Sequence, residues 1–138
     1  MDEKIKVLLI DDEMDFINMM QFWLKSREFD ADVLYSGEKV IEQIRANKYN
    51  IIFLDLKLPG LSGIEILKQV REIDKKIPVV IFSAFGTMES MKEATKLGIS
   101  GFFAKEKGFE EAARLIHTAL RIHKGLQKTE GREDEHGC

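Results

Sequence analysis

The 138 residues are 44% hydrophobic and 33% charged with a net charge of −3, the balance of one ordinary soluble domain. That balance carries no basic footprint for nucleic acid or a membrane surface. One cysteine, Cys138 at the last position, excludes an intrachain disulfide. Residues 1–6 do not form a signal peptide, and no stretch reaches the about 20 apolar residues of a span, so a cytoplasmic location is expected.

Residues 4–10 are a continuous β-branched and leucine run, the pattern of a strand buried on both faces. Residues 13–27 follow at helical spacing. Their apolar arc runs from Phe22 through Met19, Trp23, Phe16, Met20 and Leu24 to Ile17, roughly 220° and wider than a sheet-facing stripe needs. Residues 30–35 read as a weaker edge strand. Ser36 is placed to cap a helix over 37–47 with a narrow stripe of Val40, Ile41 and Ile44. A second buried strand spans 50–54, and Pro59-Gly60 marks the loop after it.

Ser62 and Glu65 form a capping-box pattern ahead of a helix with Ile66, Leu67, Val70 and Ile73 on one side. Pro78 opens the next strand, where a missing N–H is tolerated. Thr87 can cap a helix over 88–97, and Gly98 can end it in the left-handed conformation. A short strand at 101–104 and a helix over 108–124 complete the order. Residues 1–125 thus form one domain, and 126–138, polar and charged from about Thr129, read as a disordered tail.

Five strands alternating with five helices predict an α/β doubly wound parallel sheet. Right-handed crossovers favour the strand order 2-1-3-4-5, the flavodoxin-like arrangement. In such a sheet the carboxyl ends of the strands share one edge, and ligands bind in the crevice outside it. Asp11 and Asp12, Asp55, Ser83 and Lys105 each end a different apolar run, so all five are predicted to meet there.

Three carboxylates in one pocket need a counter-ion. Two unit charges about 4 Å apart repel by roughly 4 kcal/mol at an effective dielectric near 20. The candidate ligands are all oxygens, which selects Mg²⁺ or Mn²⁺ over zinc. A carboxylate beside such an ion can attack phosphorus and form an aspartyl phosphate. The metal and Lys105 would offset the phosphoryl charge, with the Ser83 hydroxyl donating to a further oxygen. Asp55, alone at the end of the most buried strand, is the best nucleophile candidate.

Adjacent acids after the first strand, Leu54-Asp55 followed by Leu58-Pro59-Gly60 and Gly63, Ser83-Ala84, and Lys105 twenty-two residues beyond Ser83 are the features of a known pattern. Together they resemble the response-regulator receiver domains of two-component signalling, with their chemotaxis-regulator-like fold, over residues 5–124. The resemblance implies that Asp55 accepts phosphate from a histidine kinase or a histidine phosphotransfer protein. It implies direct Mg²⁺ ligation by Asp12, Asp55 and the Lys57 backbone carbonyl, with Asp11 acting through water. Ser83 and Lys105 would contact phosphoryl oxygens, and small Ala84 would leave access.

Movement of Ser83 would let Phe102, at the switch-aromatic position, turn inward and reshape the face of the fourth helix, fifth strand and fifth helix. Phe16 and Met19, early in the first helix, would contact the kinase. A downstream protein target or output domain is the further partner implied; direct nucleic-acid or membrane binding is not. The chain would act as a signalling phosphoacceptor rather than an enzyme with an external substrate.

Three features set the chain apart from the pattern, one being that Phe102 has no hydroxyl, so its rotation can be read only by packing. Glu106 stands where the family usually has a proline in a cis peptide, so a trans bond or a strained loop is expected at Lys105-Glu106. Lys57 and Phe85 occupy positions that modulate dephosphorylation, and bulky Phe85 is expected to hinder the attacking water.

Taken singly, Asp11-Asp12 reads as a solvated turn, Lys105 as a surface lysine and Ser83 as a helix cap. Their ordered combination outweighs those readings. His117, His123 and His136 lie off the edge and are given no function. In the last helix Ala112, Ile116, Ala119 and Leu120 face the sheet. Leu115, Ile122 and Leu126 form a second line, either scattered exposed residues or a homodimer or output surface. Two rival functions stand beside the receiver. One is a degenerate receiver serving as a phosphorylation-independent scaffold. The other is a haloacid-dehalogenase-type phosphatase, which needs an acid two residues after its nucleophile, where this chain has Lys57.

Overall fold

A computed structural model describes residues 4–83 and 88–131; the side chains at 83, 88 and 122–131 lie outside that description. The chain runs β1 (Lys6–Ile10), α1 (Met14–Ser26), β2 (Asp30–Leu34), α2 (Val40–Ala46), β3 (Ile51–Asp55), α3 (Gly63–Ile73), β4 (Val79–Ser83), α4 (Met88–Leu97), β5 (Gly101–Ala104), a 3-10 turn (Lys105–Lys107) and α5 (Phe109–Gly131). The strands form one parallel sheet in the order β2-β1-β3-β4-β5, as the alternation predicted.

The continuous apolar runs of β1 and β3 follow from burial on both faces. Val7, Leu9, Ile51, Phe53, Val80, Phe82 and Phe103 pack with α1 and α5 on one face. Leu8, Ile10, Ile52, Leu54, Val79 and Ile81 pack with α2, α3 and α4 on the other. Side chains alternate across each strand, so one run supplies both layers. Of the wide arc on α1, Ile17, Met20 and Leu24 enter the core and Phe16 and Trp23 pack at its edge. Met19 and Phe22 stay 61% and 77% exposed.

Three sequence expectations need correction. Helix α2 starts at Val40 rather than 37, its N-cap position is Lys39 without a side-chain bond, and Ser36 does not cap it. Buried Gly37 explains this, because any Cβ there would collide with Ile66 of α3, so residues 35–39 are held as turns against that helix. Leu115 is buried rather than part of an exposed line, and it packs over Gly101, whose missing side chain leaves room on the edge strand. Helix α5 continues to Gly131, past the expected end near Lys124, through a run without proline. Ile122 and Leu126, the remainder of that line, lie outside the described side chains.

Other local signals are realised. Ser62 Oγ accepts from the Glu65 N–H at 3.2 Å while Glu65 Oε1 accepts from the Ser62 N–H at 3.2 Å, a complete capping box. Gly98 ends α4 at φ +96°. The Thr87 cap lies outside the described residues. Among the described residues no helix is long and apolar enough to cross a membrane.

Candidate phosphoacceptor site

The site is built by strand register. Parallel pairing sets Ile10 beside Leu54, so Asp11 and Asp55 leave adjacent strands at the same level, at the point where the chain order reverses. The Asp11 N–H donates to the Leu34 carbonyl at 3.1 Å, which extends the β1–β2 ladder into the acid pair. Asp55 is level with Phe82 in β4, and Ser83 is level with Ala104, the residue before Lys105. The backbone therefore brings Ser83 to the same edge, while its side chain, Ala84 and Phe85 lie outside the described residues.

Asp11, Asp12 and Asp55 each offer an oxygen, and these oxygens lie within 4.8 Å of one another. Asp11 and Asp55 are buried and Asp12 is exposed, so the cluster opens to solvent on one side. Glu13 N–H donates to Asp11 Oδ1 at 3.1 Å, and Lys57 N–H donates to Asp55 Oδ1 at 3.0 Å. These bonds leave the Oδ2 atoms of both acids facing the pocket.

Lys105 Nζ closes the pocket from the β5 side. It lies 2.9 Å from Asp11 Oδ2, 3.1 Å from Asp55 Oδ2 and 2.6 Å from Glu13 Oε1. The rings of Phe16 and Phe82 sit beneath it, centroids 5.1 and 5.6 Å away. Although it is an ion-pair partner, Asp11 Oδ2 is buried and, among the described residues, lacks a properly directed hydrogen bond. A buried carboxylate oxygen lacking one is costly unless another ligand satisfies it.

Burial, and then the contact with Asp55, push the Asp11 carboxyl up to about 6, against Lys105 and the Glu13 N–H. Burial works against the Lys105 ammonium, but Glu13, Asp11 and Asp55 together outweigh it and raise its pKa. A carboxyl whose ionisation is opposed by burial and by a neighbouring acid marks a site short of positive charge. All-oxygen donors, an undirected buried oxygen and one solvent-open side fit a hard divalent cation.

Lys105 was the member least fixed by sequence, since Glu106 follows it. The Lys105–Glu106 peptide is trans within the 3-10 turn, and the ammonium is aimed by carboxylates and rings rather than by a proline. Phe102 is 41% exposed on β5, level with Ile81. Phe16 is half-buried with its ring on Phe82 and Phe109 at 5.9 and 5.6 Å, which leaves Met19 as the more open of the two expected partner contacts. Glu13, which touches Lys105, carried no assignment from sequence; its only signal was a third acid in the run Asp-Asp-Glu.

An acid triad faced by a lysine at the switch point of a five-stranded doubly wound sheet defines a class, α/β domains with a charged site at the carboxyl edge. The family within that class is given by comparison. The response regulator receiver domain model matches residues 7–117, and the chain belongs to that family. Sporulation initiation phosphotransferase F of Bacillus subtilis is 28% identical over 117 residues, 85% of this chain and 94% of the relative. The transcriptional regulatory protein ZraR of Salmonella typhimurium is 26% identical over 85% of this chain, which spans only 26% of that relative's length. A CheY-like receiver domain protein from Methanospirillum hungatei superposes with a TM-score of 0.86, covering 90% of this chain and 99% of that one. At 14% identity it supports the fold alone.

Proposed function

We propose that this receiver domain is a phosphoacceptor whose Asp55 takes a phosphoryl group from a phosphohistidine of a histidine kinase or phosphotransfer protein. The observation that carries the reading is the placement of Lys105 Nζ 3.1 Å from Asp55 Oδ2 within a three-carboxylate cluster. A carboxylate oxygen of Asp55 bonds to phosphorus as the donor's P–N bond breaks, and the departing imidazole takes up a proton. Asp11, Asp12, Asp55 and the Lys57 carbonyl would hold Mg²⁺ (Mn²⁺ also suits the donors), which supplies positive charge to the phosphoryl oxygens.

Lys105 offers three N–H donors, so it can turn from Asp55 to a phosphoryl oxygen without losing its other partners. Ser83 would donate to another oxygen. The response would pass to Phe102 and the α4-β5-α5 face, whose output is a protein contact: a downstream target, an output domain or a second copy of the chain. Such a domain works in the cytoplasm and catalyses only its own phosphorylation and dephosphorylation.

Incubation with Mg²⁺ and acetyl phosphate is the test. Wild type is expected to incorporate acid-stable, base-labile phosphate, and Asp55→Asn or removal of Mg²⁺ to abolish it. Equal labelling of Asp55→Asn would sink the assignment, and an inert wild type would point to the scaffold reading.

A further inference from the structure

Glu13 is the shortest of the three carboxylate contacts to Lys105, at 2.6 Å, yet it lies outside the cluster that fits a cation. Asp11 and Asp55 face a conflict, because the oxygens that now meet the ammonium are those a cation would draw on. When their charge is drawn to a cation, Glu13 alone of the three keeps its full attraction for Lys105. The turn that carries Lys105 lacks proline and is exposed at Glu106, Lys107 and Gly108, so little in the backbone aims the side chain. Glu13 immediately precedes α1, and Phe16, under the ammonium, is one helical turn further on the same face. One edge of α1 thus supplies both a charge partner and a ring platform.

We propose that Glu13 is a positioning residue for Lys105, holding the ammonium at the pocket mouth in the cation-loaded state so that a free N–H meets the phosphoryl oxygen. This rests on the phosphoacceptor reading above. Because an ammonium has three donors, Glu13 keeps one while the donor that faced Asp55 passes to the phosphoryl group. Glu13 gains nothing from touching substrate itself; it acts through Lys105.

Two measurements separate this from a merely structural role. Initial rates of Asp55 labelling by acetyl phosphate with Mg²⁺ are compared in wild type, Glu13→Gln, Lys105→Met and the double variant. Glu13→Gln is expected to slow labelling about three- to fivefold, the scale of a partly exposed ion pair, and to change the Lys105→Met background by less than about 1.5-fold. A rate unchanged or raised in Glu13→Gln, or an equal loss in both backgrounds, overturns the proposal.

The second measurement is the NMR signal of the Lys105 side-chain Cε–Nζ group with Mg²⁺ bound. It should broaden or shift toward free lysine in Glu13→Gln, and a signal indifferent to Glu13 also overturns the proposal. If wild type accepts no phosphate, the phosphoacceptor reading fails by itself, while the NMR comparison still decides whether Glu13 aims Lys105.

Discussion

At the residue scale the site is a problem of uncompensated charge. Asp11 is buried, and burial with the neighbouring Asp55 raises its pKa from 3.8 to about 6. The folded chain then holds that proton more tightly than the unfolded chain does. The contribution of Asp11 to stability is complete below about pH 4 and is lost as pH rises through about 6. Under the proposed function Mg²⁺ would displace this proton, so its stabilising effect should grow over the same window. About 10 mM Mg²⁺ is expected to raise the melting temperature by a few degrees near pH 7.5 and by less than half as much near pH 5. Equal shifts at both pH values, read by calorimetry, would show that Asp11 does not hold the proton. The three aspartates were legible in sequence as strand ends, whereas the Glu13 contact was not, since nothing in a run of acids says which one meets a lysine 92 positions away.

At the element scale the loop after β3 is clamped by the start of α3. Gly63 N–H donates to the Leu56 carbonyl at 3.0 Å, and a Cβ at Gly63 would fall onto the Asp55 carbonyl oxygen and Leu56 Cα. These are backbone atoms and cannot swing away. Gly63→Ala is therefore expected to destabilise the fold by about 2–4 kcal/mol, measured by urea unfolding, and to weaken Mg²⁺ binding by shifting Asp55. A loss under about 0.5 kcal/mol would mean that the loop yields.

A second clamp joins α3 to α4. Arg71 donates to the Leu97, Gly98 and Asp74 carbonyls at 3.2, 2.8 and 3.1 Å, closing the C-terminal end of α4. Arg71→Met should cost about 1–2 kcal/mol and speed amide exchange at Ala94 to Gly98 more than in α3. Uniform exchange across both helices would contradict a local role. Capping signals were legible at α3, where the box is contained in four residues. The start of α2 was not, because Ile66 of another helix decides where residues 35–39 lie.

At the scale of the whole molecule, two apolar layers share β1, β3 and β4, so neither layer can separate while the sheet persists. Among the described residues Trp23 packs in the α1–α5 layer, 6.0 Å from Phe109, with the Arg27 guanidinium stacked on it at 4.5 Å. Its fluorescence therefore reports one layer and far-ultraviolet dichroism reports both. Their urea transitions are expected to coincide within error, as two-state unfolding requires. An earlier fluorescence midpoint would show that the α1–α5 layer opens alone.

The sequence by itself determined the alternation of strands and helices, the strand order and the residues that end each strand. These follow from local periodicity and from the handedness of crossovers, which one chain carries in full. Tertiary structure decided what depends on distant atoms meeting: the start of α2, the burial of Leu115, the half-burial of Phe16, and above all how Lys105 is aimed. A turn without proline leaves that ammonium free in sequence terms. Glu13 and Asp11 from the β1–α1 loop, Asp55 from β3 and the rings of Phe16 in α1 and Phe82 in β4 hold it in place.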